Sequence, residues 1–308
     1  MTEIVLPTAD YDLAATLCSG QAFRWNLLGD GWESVIGSHW VRLTPVAGGI
    51  HAATWPEVTE WDWLRHYLQS DLSLDPVLAT FPTDPPMQAS VQACRGLRLL
   101  RQDPWECLAS FILSSTKQIV QIRQICETLC LRFGEPIGKP DRDRPIHSFP
   151  SPQRIAALSE TELRDCKMGF RAPNLLHAAR AASEGSLRLD DLGTLPLDAA
   201  RDELCRLRGV GPKIADCVLL FAYGFPQAFP VDVWIQKAIQ QLYFKGRRVR
   251  PDRIIRFVRS HFGPHSGYAQ QYLFHYMRTL RPETRANRTS MTVSASRTTR
   301  SIPISHAN

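Results

Sequence analysis

The pattern of apolar and polar residues divides the chain near residue 95. Before that point, short apolar runs such as GWESVIG and HWVRLTP are interrupted by glycine and proline. Such runs predict antiparallel β-strands, whereas the longer segment WPEVTEWDWLRHYLQ (55–69) predicts a helix. We therefore expect an N-terminal antiparallel sheet domain over residues 1–95.

Residues 96–280 have apolar positions at helical spacing, with short loops between the periodic segments. Helices are predicted at 105–113, 118–133, 173–183, 197–207, 213–223 and 268–280. The Pro-, Asp- and Arg-rich stretch 138–152 is predicted to be a connector, and the Ser-, Thr- and Arg-rich residues 281–308 a disordered basic tail. The chain of 308 residues is therefore predicted to be an α+β protein, with a sheet domain ahead of an all-α core.

Two glycines around one apolar residue, Gly209-Val210-Gly211, stand between two of the predicted helices. Glycine gives access to positive φ, so the backbone can turn sharply at this point. The N–H groups that begin the next helix would then face outward, which makes an anion site suited to a DNA phosphate. The pattern alone is weak evidence, because many ordinary αα-hairpins have glycine in the turn.

Lys213 and Asp232 are the candidate catalytic residues. Lys213 begins the helix after the hairpin, where the helix dipole disfavours a cation and favours the neutral amine that a Schiff-base nucleophile needs. Each residue has an ordinary alternative: Lys213 as a solvated or phosphate-pairing lysine, and Asp232 as a helix N-cap. We expect Asp232 to do both, capping its helix while its carboxylate faces the lysine.

The net charge of +6 at pH 7 is unevenly distributed along the chain. Residues 201–260 hold 12 Lys/Arg against 5 Asp/Glu, and residues 281–308 hold 5 Arg against 1 Glu, so the remainder is net acidic. Positive charge thus collects around the hairpin and in the tail, as expected of a surface that faces phosphates. A protein that is merely basic throughout would not show this localisation.

Eight cysteines, none of them in a CxxC pair, predict buried and reduced thiols of an intracellular protein. Cys126 and Cys130 are one helical turn apart, and two thiols alone make a poor metal site. The N-terminus has no apolar secretory segment, and no run approaches the ~18 apolar residues of a membrane span. We therefore expect a protein of the cytoplasm or nucleoid, or of a eukaryotic nucleus, that is neither secreted nor membrane-bound.

Four segments resemble a family of DNA repair enzymes. The strongest is LCRLRGVGPKIADCVLLFAYGFPQAFPVDVWIQ (204–236), which resembles the helix-hairpin-helix-GPD motif of base-excision DNA glycosylases. SGQAFRW (19–25), LLRQDPWECLASFILSS (99–115) and GPHSGYAQQYLF (263–274) resemble the N-terminal loop, first core helix and pocket-closing segment of 8-oxoguanine DNA glycosylase/lyases. With these blocks in the right order, the chain is identified as a member of that family over roughly residues 5–280. The resemblance implies a TBP-like sheet domain packed on a helix-hairpin-helix core.

The resemblance also implies a pocket for a purine flipped out of the duplex. It assigns to Gly20 the carbonyl that accepts the N7 hydrogen of 8-oxoguanine, a hydrogen that guanine lacks. It assigns to Gln270 the Watson–Crick edge, and to Phe274 and Cys217 the two faces of the base. On local sequence alone, these residues could be a turn glycine, a solvated helix glutamine and plain helix core.

Phe170, Arg171 and Thr116 match the residues that the family places opposite the lesion. Phe170 would fill the emptied stack as a wedge, at a position where tyrosine is common, and Arg171 would donate to the acceptors of the orphaned cytosine. Thr116 stands where animal-type sequences have an asparagine that touches this cytosine, so the stringency for cytosine stays open. Trp234 likewise replaces a histidine that is common in the family.

The implied function is that of a bifunctional enzyme. It would bind double-stranded DNA containing an oxidised purine, release 8-oxoguanine preferably opposite cytosine, and nick the strand by lysine Schiff-base chemistry. Two alternatives stay open. A glycosylase of the same fold for another damaged purine would keep Asp232 but need no Lys213, and a noncatalytic DNA-binding module would need neither residue.

Neither a cofactor nor a metal is expected in the active site. The related endonuclease III type has four closely spaced C-terminal cysteines that hold an iron–sulfur cluster, whereas no cysteine follows Cys217 in this chain. The resemblance leaves room for a monovalent cation at the hairpin. We expect the protein to act as a monomer on DNA.

Overall fold

The computed structural model describes residues 1–138 and 145–279. The predicted basic tail 281–308 lies outside the described residues, as does part of the predicted connector 138–152. The described end of that connector contributes the strand β7, Ile146–His147, which pairs with β6, Pro136–Ile137.

Five antiparallel strands form the N-terminal sheet, in the order β1–β5–β4–β3–β2. The strands are β1 Thr2–Pro7, β2 Asn26–Leu28, β3 Gly31–Ile36, β4 His39–Val46 and β5 Gly49–Trp55. Tight turns join β3 to β4 and β4 to β5, while β1 pairs with β5 at the edge of the sheet. The two runs predicted as strands, GWESVIG and HWVRLTP, therefore form neighbouring strands of one sheet.

Helices supply most of the remaining described architecture. Those of the first hundred residues are α1 Leu13–Cys18, α2 Asp62–Leu68, α3 Asp75–Leu78 and α4 Pro85–Cys94. Those that follow are α5 Pro104–Leu113, α6 Ile119–Phe133, α7 Pro152–Ala156, α8 Glu160–Leu163, α9 Ala172–Ser183, α10 Leu197–Cys205, α11 Pro212–Val218, α12 Val233–Tyr243, α13 Pro251–His261 and α14 Ser266–Thr279. The predicted α+β class, an antiparallel sheet packed on an all-α core, is confirmed.

The helix predicted over 55–69 is shorter in the structure, because α2 begins only at Asp62. Trp55 pairs with Trp40 in the sheet, so the first residue of the predicted helix is the last of a strand. The helix predicted over 213–223 is divided: α11 ends at Val218, and a π-helical turn continues it over Leu219–Tyr223.

Among the described residues, two large hydrophobic clusters hold the fold together, and a small third one joins Val35, Trp40 and Ala53 of the sheet to Ile137. One large cluster lies between the sheet and helices α1 and α2, and has Trp25, Leu43 and Leu64 at its centre. The other large cluster fills the helical core and also receives Met87 and Cys94 of α4. Helix α4 packs against α14, which the sequence places in the pocket-closing segment. The division at residue 95 stays a prediction.

Hydrogen bonds fasten the loop Ser19–Trp25 to the start of the helical core. The Gln21 side chain donates to the carbonyls of Thr16 and Arg98 at 2.8 Å each and accepts from the Leu100 N–H at 2.8 Å. Gln21 is fully buried, so these bonds satisfy polar groups that water cannot reach. The loop therefore has a fixed position relative to the helices that carry the candidate site. Across the described residues, no helix is long and apolar enough to cross a membrane.

Candidate active site

The glycine hairpin joins α10 to α11. Gly209 adopts φ +79°, and a Cβ there would collide with the Asn174 side chain. Gly211 is instead extended, with φ −107° and ψ 179°, and is the N-cap of α11. Positive φ is therefore used only at the first glycine, where both the turn and the close packing require it.

The outer side of the hairpin is open, whereas its inner side is anchored. Val210 is only 6% exposed and packs in the helical core. At Gly211, a Cβ would meet no atom within 4 Å. Pro212 follows at the first helical position, which suits proline because the N–H there would have no partner within the helix. The hairpin thus presents backbone next to open space, as a phosphate contact needs.

Lys213 lies on the first turn of α11, with its amine directed at helix α5. Its Nζ is 3.4 Å from Ser114 Oγ and 5.1 Å from the ring centroid of Phe111. Within the described ranges 1–138 and 145–279, no carboxylate lies within 4.0 Å of this Nζ. The amine therefore stands beside a hydroxyl and an aromatic face, without an ion pair that would occupy it.

Asp232 is the N-cap of α12, as the sequence predicts for one of its two roles. Its Oδ1 accepts from the backbone N–H groups of Trp234 at 3.0 Å and Ile235 at 2.7 Å. Both bonds use the same oxygen, so the carboxylate is fixed in direction while Oδ2 remains for another partner. No hydrogen bond or ion pair joins Asp232 to Lys213 in the structure, so the predicted orientation of the carboxylate toward the lysine is not a direct contact.

Cys217 lies close enough to Lys213 and Asp232 to be affected by the charge of each. It lies one helical turn beyond Lys213 on α11 and is 3% exposed. Burial raises the pKa of its thiol to about 11; the Lys213 charge and a hydrogen bond from Lys213 oppose this rise, and the Asp232 charge adds to it. Cys217 is therefore within electrostatic reach of both residues and carries a neutral, protonated thiol near pH 7.

Gly20 and Phe274 meet across the interface between the N-terminal loop and α14. Gly20 has φ +82°, and a Cβ on it would lie 3.1 Å from Ile119 Cδ1, 3.3 Å from Phe274 Cε1 and 3.4 Å from Arg278 Nη1. A side chain at this position would thus be both strained and crowded. The structure brings these two predicted pocket residues together, although 254 positions separate them in the sequence.

Gln270 lies one turn before Phe274 on α14 and is 4% exposed. Its Oε1 is buried without a hydrogen-bond partner among the described residues. A buried amide oxygen without a partner costs about 1–3 kcal/mol, which a ligand that donates a hydrogen bond could recover. The next residue, Gln271, donates to the Ser19 carbonyl at 3.0 Å and so joins α14 to the loop that carries Gly20.

Gln21 and Gln271 are two positioning residues that the sequence interpretation missed. Both are buried, and both hold the Ser19–Trp25 loop against the helices. The only signal was their place beside residues already chosen, Gly20 and Gln270. A glutamine in an otherwise ordinary segment does not reveal that its partners are backbone groups far away in the sequence.

The residues predicted to face the opposite base, Phe170, Arg171 and Thr116, lie together beside the C-terminal end of α5. Phe170 is 59% exposed, whereas the adjacent Arg171 is only 2% exposed. Arg171 donates to the Met168 carbonyl at 3.2 Å and to Thr116 Oγ1 at 2.6 Å, and also contacts the Ser115 carbonyl. Its guanidinium lies 4.3 Å from the Phe170 ring centroid. The structure thus brings together all three residues predicted to face the opposite base.

The backbone around Arg171 is strained. Thr116 and Lys167 have φ of +57° and +62°, a region that a β-branched or long side chain rarely adopts. Burial lowers the pKa of Arg171, and its Nε has no hydrogen-bond partner among the described residues. Strain and incomplete hydrogen bonding occur together here, which is common at sites that rearrange on binding.

All eight cysteines are free thiols, and six of them are buried. Among the residues that the structure describes, no group of three or more His, Cys, Asp or Glu side chains is arranged to hold a metal ion. The side chains around the Lys213 amine are the hydroxyl of Ser114, the ring of Phe111 and the thiol of Cys217.

Family models match two adjoining parts of the chain. The one described as 8-oxoguanine DNA glycosylase, N-terminal domain, matches residues 3–108. The one described as HhH-GPD superfamily base excision DNA repair protein matches residues 109–262. The N-glycosylase/DNA lyase OGG1 of Arabidopsis thaliana is 33% identical over 295 residues, which cover 89% of this chain and 77% of the relative.

The chain belongs to the 8-oxoguanine DNA glycosylase/lyase family. Solved structures agree with this membership. The chain resembles MBOgg1 in complex with a low-affinity DNA ligand, with a TM-score of 0.86 and 33% identity over 91% of this chain and 96% of the other. It also resembles the Clostridium acetobutylicum 8-oxoguanine glycosylase/lyase in complex with double-stranded DNA containing cytosine opposite 8-oxoG, with a TM-score of 0.82 and 28% identity over 90% and 98%.

Family membership confirms the resemblance on which the site was predicted. The membership itself covers both the sheet domain and the helical core, since the two matches meet at residues 108 and 109. The roles of individual residues in this chain stay predictions, and the geometry above says which of them lie close enough to act together.

Proposed function

We propose that this chain is a bifunctional DNA glycosylase/lyase that excises 8-oxoguanine from duplex DNA and then nicks the strand. The observation that carries the proposal is the setting of Lys213. Its amine stands 3.4 Å from Ser114 Oγ with no ion pair to any described residue, next to a buried Cys217 that is within reach of the Asp232 charge. An amine in such a place is suited to attack an electrophilic carbon.

Duplex DNA is the proposed partner. The open hairpin Gly209-Val210-Gly211 would receive a backbone phosphate, and the positive charge of residues 201–260 would attract the surrounding strand. The Clostridium relative was solved with double-stranded DNA, which supports this choice. A monovalent cation on the hairpin carbonyls would strengthen the phosphate contact, and stays part of the proposal.

Base flipping would place the lesion between Phe274 and Cys217. The Gly20 carbonyl would accept the N7 hydrogen that distinguishes 8-oxoguanine from guanine, and the unpartnered Gln270 oxygen would accept from the N–H groups of the Watson–Crick edge. Flipping costs a few kcal/mol. The exposed Phe170 ring would offset part of that cost by filling the emptied stack.

The chemistry proceeds in two stages. Lys213 Nζ forms a bond to the sugar C1′ while the bond from C1′ to the purine nitrogen breaks, and the base departs with the bonding electrons. Asp232 stabilises the positive charge that builds on the sugar. The Lys213 nitrogen loses a proton, and the C1′–O4′ bond breaks as O4′ takes up a proton, which gives a Schiff base. A proton then leaves C2′, and the C3′–O3′ bond breaks by β-elimination with the 3′ phosphate as the leaving group.

Arg171 and Thr116 would face the base opposite the lesion. Arg171 can donate to the O2 and N3 acceptors of cytosine once its bonds to Met168 and Thr116 open. Thr116 has no amide to add a second contact. We therefore expect cytosine to be preferred mainly through Arg171.

The remaining expectations concern the state of the protein in the cell. The proposed chemistry uses only side chains of this protein, so we expect full activity without an iron–sulfur cluster or other cofactor. We also expect a monomer that works wherever the genome is, in the nucleoid or the nucleus. Analytical ultracentrifugation and metal analysis of the purified protein test the first two points.

The proposal is tested by trapping with borohydride, which reduces a Schiff base to a stable amine. Wild-type protein is incubated with an 8-oxoguanine:cytosine duplex, an undamaged duplex and a 3-methyladenine duplex. We expect release of 8-oxoguanine and a covalent protein–DNA adduct with the first duplex only. Base release from the 3-methyladenine duplex without an adduct would instead support an alkylpurine glycosylase, and binding without release a noncatalytic module.

A further inference from the structure

Arg278 extends the base pocket by one turn of α14. Gln270, Phe274 and Arg278 follow one another at intervals of four residues, so they lie on one face of the helix. The guanidinium carbon of Arg278 is 5.4 Å from the Phe274 ring centroid. Its Nη1 is 3.4 Å from the place that a Cβ on Gly20 would occupy. Arg278 is therefore at the same pocket as Gly20 and Phe274.

The surroundings of Arg278 are mostly protein rather than water. Burial lowers the pKa of Arg278, and the Asp232 charge is one of those that raise it. An arginine keeps its charge in proteins even when it is partly buried. A cation with directed N–H donors thus lies at the base pocket at neutral pH.

The order of the three side chains fixes which end of a bound purine Arg278 would meet. Eight residues of helix span about 12 Å, and Phe274 lies midway between Gln270 and Arg278. A base stacked on Phe274 with its Watson–Crick edge toward Gln270 has its imidazole end toward Arg278. Gly20 is at that end as well. In 8-oxoguanine this end has two changed groups, a donor at N7 and an acceptor at C8.

We propose that Arg278 donates a hydrogen bond to the C8 oxygen of 8-oxoguanine, while the Gly20 carbonyl accepts from N7. This inference rests on the proposed function. Guanine has a C–H at C8, so a donor directed at that atom finds no acceptor there in the undamaged base. The departing base also takes up negative charge, part of which the C8 oxygen carries. The contact would therefore strengthen as the bond to the sugar breaks, and would raise the rate as well as the selectivity.

The test compares wild type with Arg278→Met and Arg278→Lys under single-turnover conditions. Met keeps most of the length and the apolar stem of the side chain. Lys keeps the charge but places its donors on one nitrogen instead of a planar guanidinium. Three substrates are used opposite cytosine: 8-oxoguanine, 8-thioguanine and a preformed abasic site. The thio base keeps the N7 hydrogen and replaces the oxygen by a weaker acceptor. Arg188→Met, which removes an arginine from an exposed pair with Asp191, is the matched control.

We expect Arg278→Met to release 8-oxoguanine about 10- to 100-fold more slowly than wild type. Nicking of the abasic site, which has no C8 oxygen, should stay within about twofold of wild type. Wild type should prefer 8-oxoguanine to 8-thioguanine, and the Met variant should lose that preference. Arg278→Lys should recover part of the rate, and Arg188→Met should behave as wild type.

Three results would overturn the inference. Excision by Arg278→Met at the wild-type rate or faster would mean that the guanidinium only packs against Phe274 and does not contact the base. An equally large decrease in the rate of nicking at the abasic site would indicate that the substitution disturbs the whole active site. If Arg278→Met has the same ratio of release rates for 8-oxoguanine and 8-thioguanine as wild type, Arg278 does not contact the group on C8. If wild type itself releases no 8-oxoguanine, the proposed function fails along with the inference.

Discussion

The lesion side and the opposite-base side of this protein are built differently. On the lesion side, Lys213 and Cys217 are fixed on α11, and Gln21 fastens the loop that carries Gly20 through three bonds of 2.8 Å. On the opposite-base side, Phe170 projects into solvent, and Arg171 is turned inward. Thr116 stands there with a strained φ of +57°.

The difference indicates which part of the site is assembled before DNA arrives. Groups that take part in bond breaking gain most from being held in place in advance, since their ordering then costs nothing at the moment of reaction. Arg171 must first give up its bonds to Met168, Ser115 and Thr116. Each such bond from a charged donor contributes about 1.5–3 kcal/mol, which contacts formed with DNA must offset. We infer a preassembled lesion side and an opposite-base side that rearranges.

The largest effect is expected from Lys213→Gln on the preassembled side. Without the amine, neither base release nor strand nicking has a nucleophile, so both rates should fall by several orders of magnitude. Duplex binding, measured by fluorescence anisotropy, should stay close to that of wild type. Lys237→Gln, which removes an exposed lysine from α12, is the control and should keep base release and nicking at protein concentrations that saturate the duplex. Normal nicking by Lys213→Gln would show that another group is the nucleophile.

Asp232→Asn should have the next largest effect. Asparagine is as good an N-cap as aspartate, so α12 should keep its start while the charge is lost. We expect base release to slow by about 10²–10³-fold, as when one electrostatic stabiliser is removed from other enzymes. Asp103→Asn, at the N-cap of α5, is the matched change away from Lys213. A Tm that falls much more in Asp232→Asn than in Asp103→Asn would point to a structural role instead.

Gly20→Ala tests whether the pocket is as closely fitted as the distances indicate. The new Cβ would lie 3.1–3.4 Å from Ile119, Phe274 and Arg278, and positive φ adds strain. We expect 8-oxoguanine release to fall about 10- to 100-fold, while nicking of a preformed abasic site is spared. Gly37→Ala has a similar φ, +57°, but nothing within 4 Å of its Cβ, so it isolates strain from crowding. Equal losses in the two variants would reject a fitted pocket.

Arg171→Ala should change selectivity more than rate. Loss of one base-edge contact typically costs about 1–3 kcal/mol, so discrimination between cytosine and adenine should fall roughly 10- to 100-fold. Excision rates opposite each of the four bases measure this directly. Arg180→Ala, on the last turn of α9, is a control for the loss of an arginine from the same region. Unchanged discrimination in Arg171→Ala would remove Arg171 from the reading of the opposite base.

The smallest effect is expected from Thr116→Asn. Asparagine tolerates the left-handed region better than a β-branched residue, so the change should stabilise the protein by up to about 1 kcal/mol. It also restores an amide that can contact cytosine, which should sharpen the preference for that base. Thermal unfolding and the four-base excision assay measure the two effects. A lower Tm together with unchanged selectivity would contradict this account of the strained side.

Much of the helical core was predictable because its signals are local. The helices predicted at 105–113, 118–133 and 173–183 begin and end within one or two residues of α5, α6 and α9. Capping residues mark several of these ends, as Asp103 does for α5. The helix predicted from residue 55 was wrong at its start, because pairing of Trp55 with the distant Trp40 decides that segment.

The candidate site was predictable only in part, for the same reason. The hairpin and the Asp232 cap have local patterns, and the family resemblance supplied Gly20, Gln270 and Phe274. No local pattern reveals that Arg171 is turned inward, or that Arg278 reaches the place where Gly20 and Phe274 meet. These features depend on contacts between segments far apart in the sequence, which only the folded chain brings together.

The most direct measurement of the central claim is the identification of the amino acid in the borohydride-trapped adduct. Wild-type protein is trapped on an 8-oxoguanine:cytosine duplex, digested with protease and nuclease, and analysed by tandem mass spectrometry. The account predicts that the reduced sugar fragment is attached to Lys213, within the peptide that follows Gly209-Val210-Gly211. Attachment to Lys117, Lys167, Lys237 or the N-terminal amine instead would contradict it.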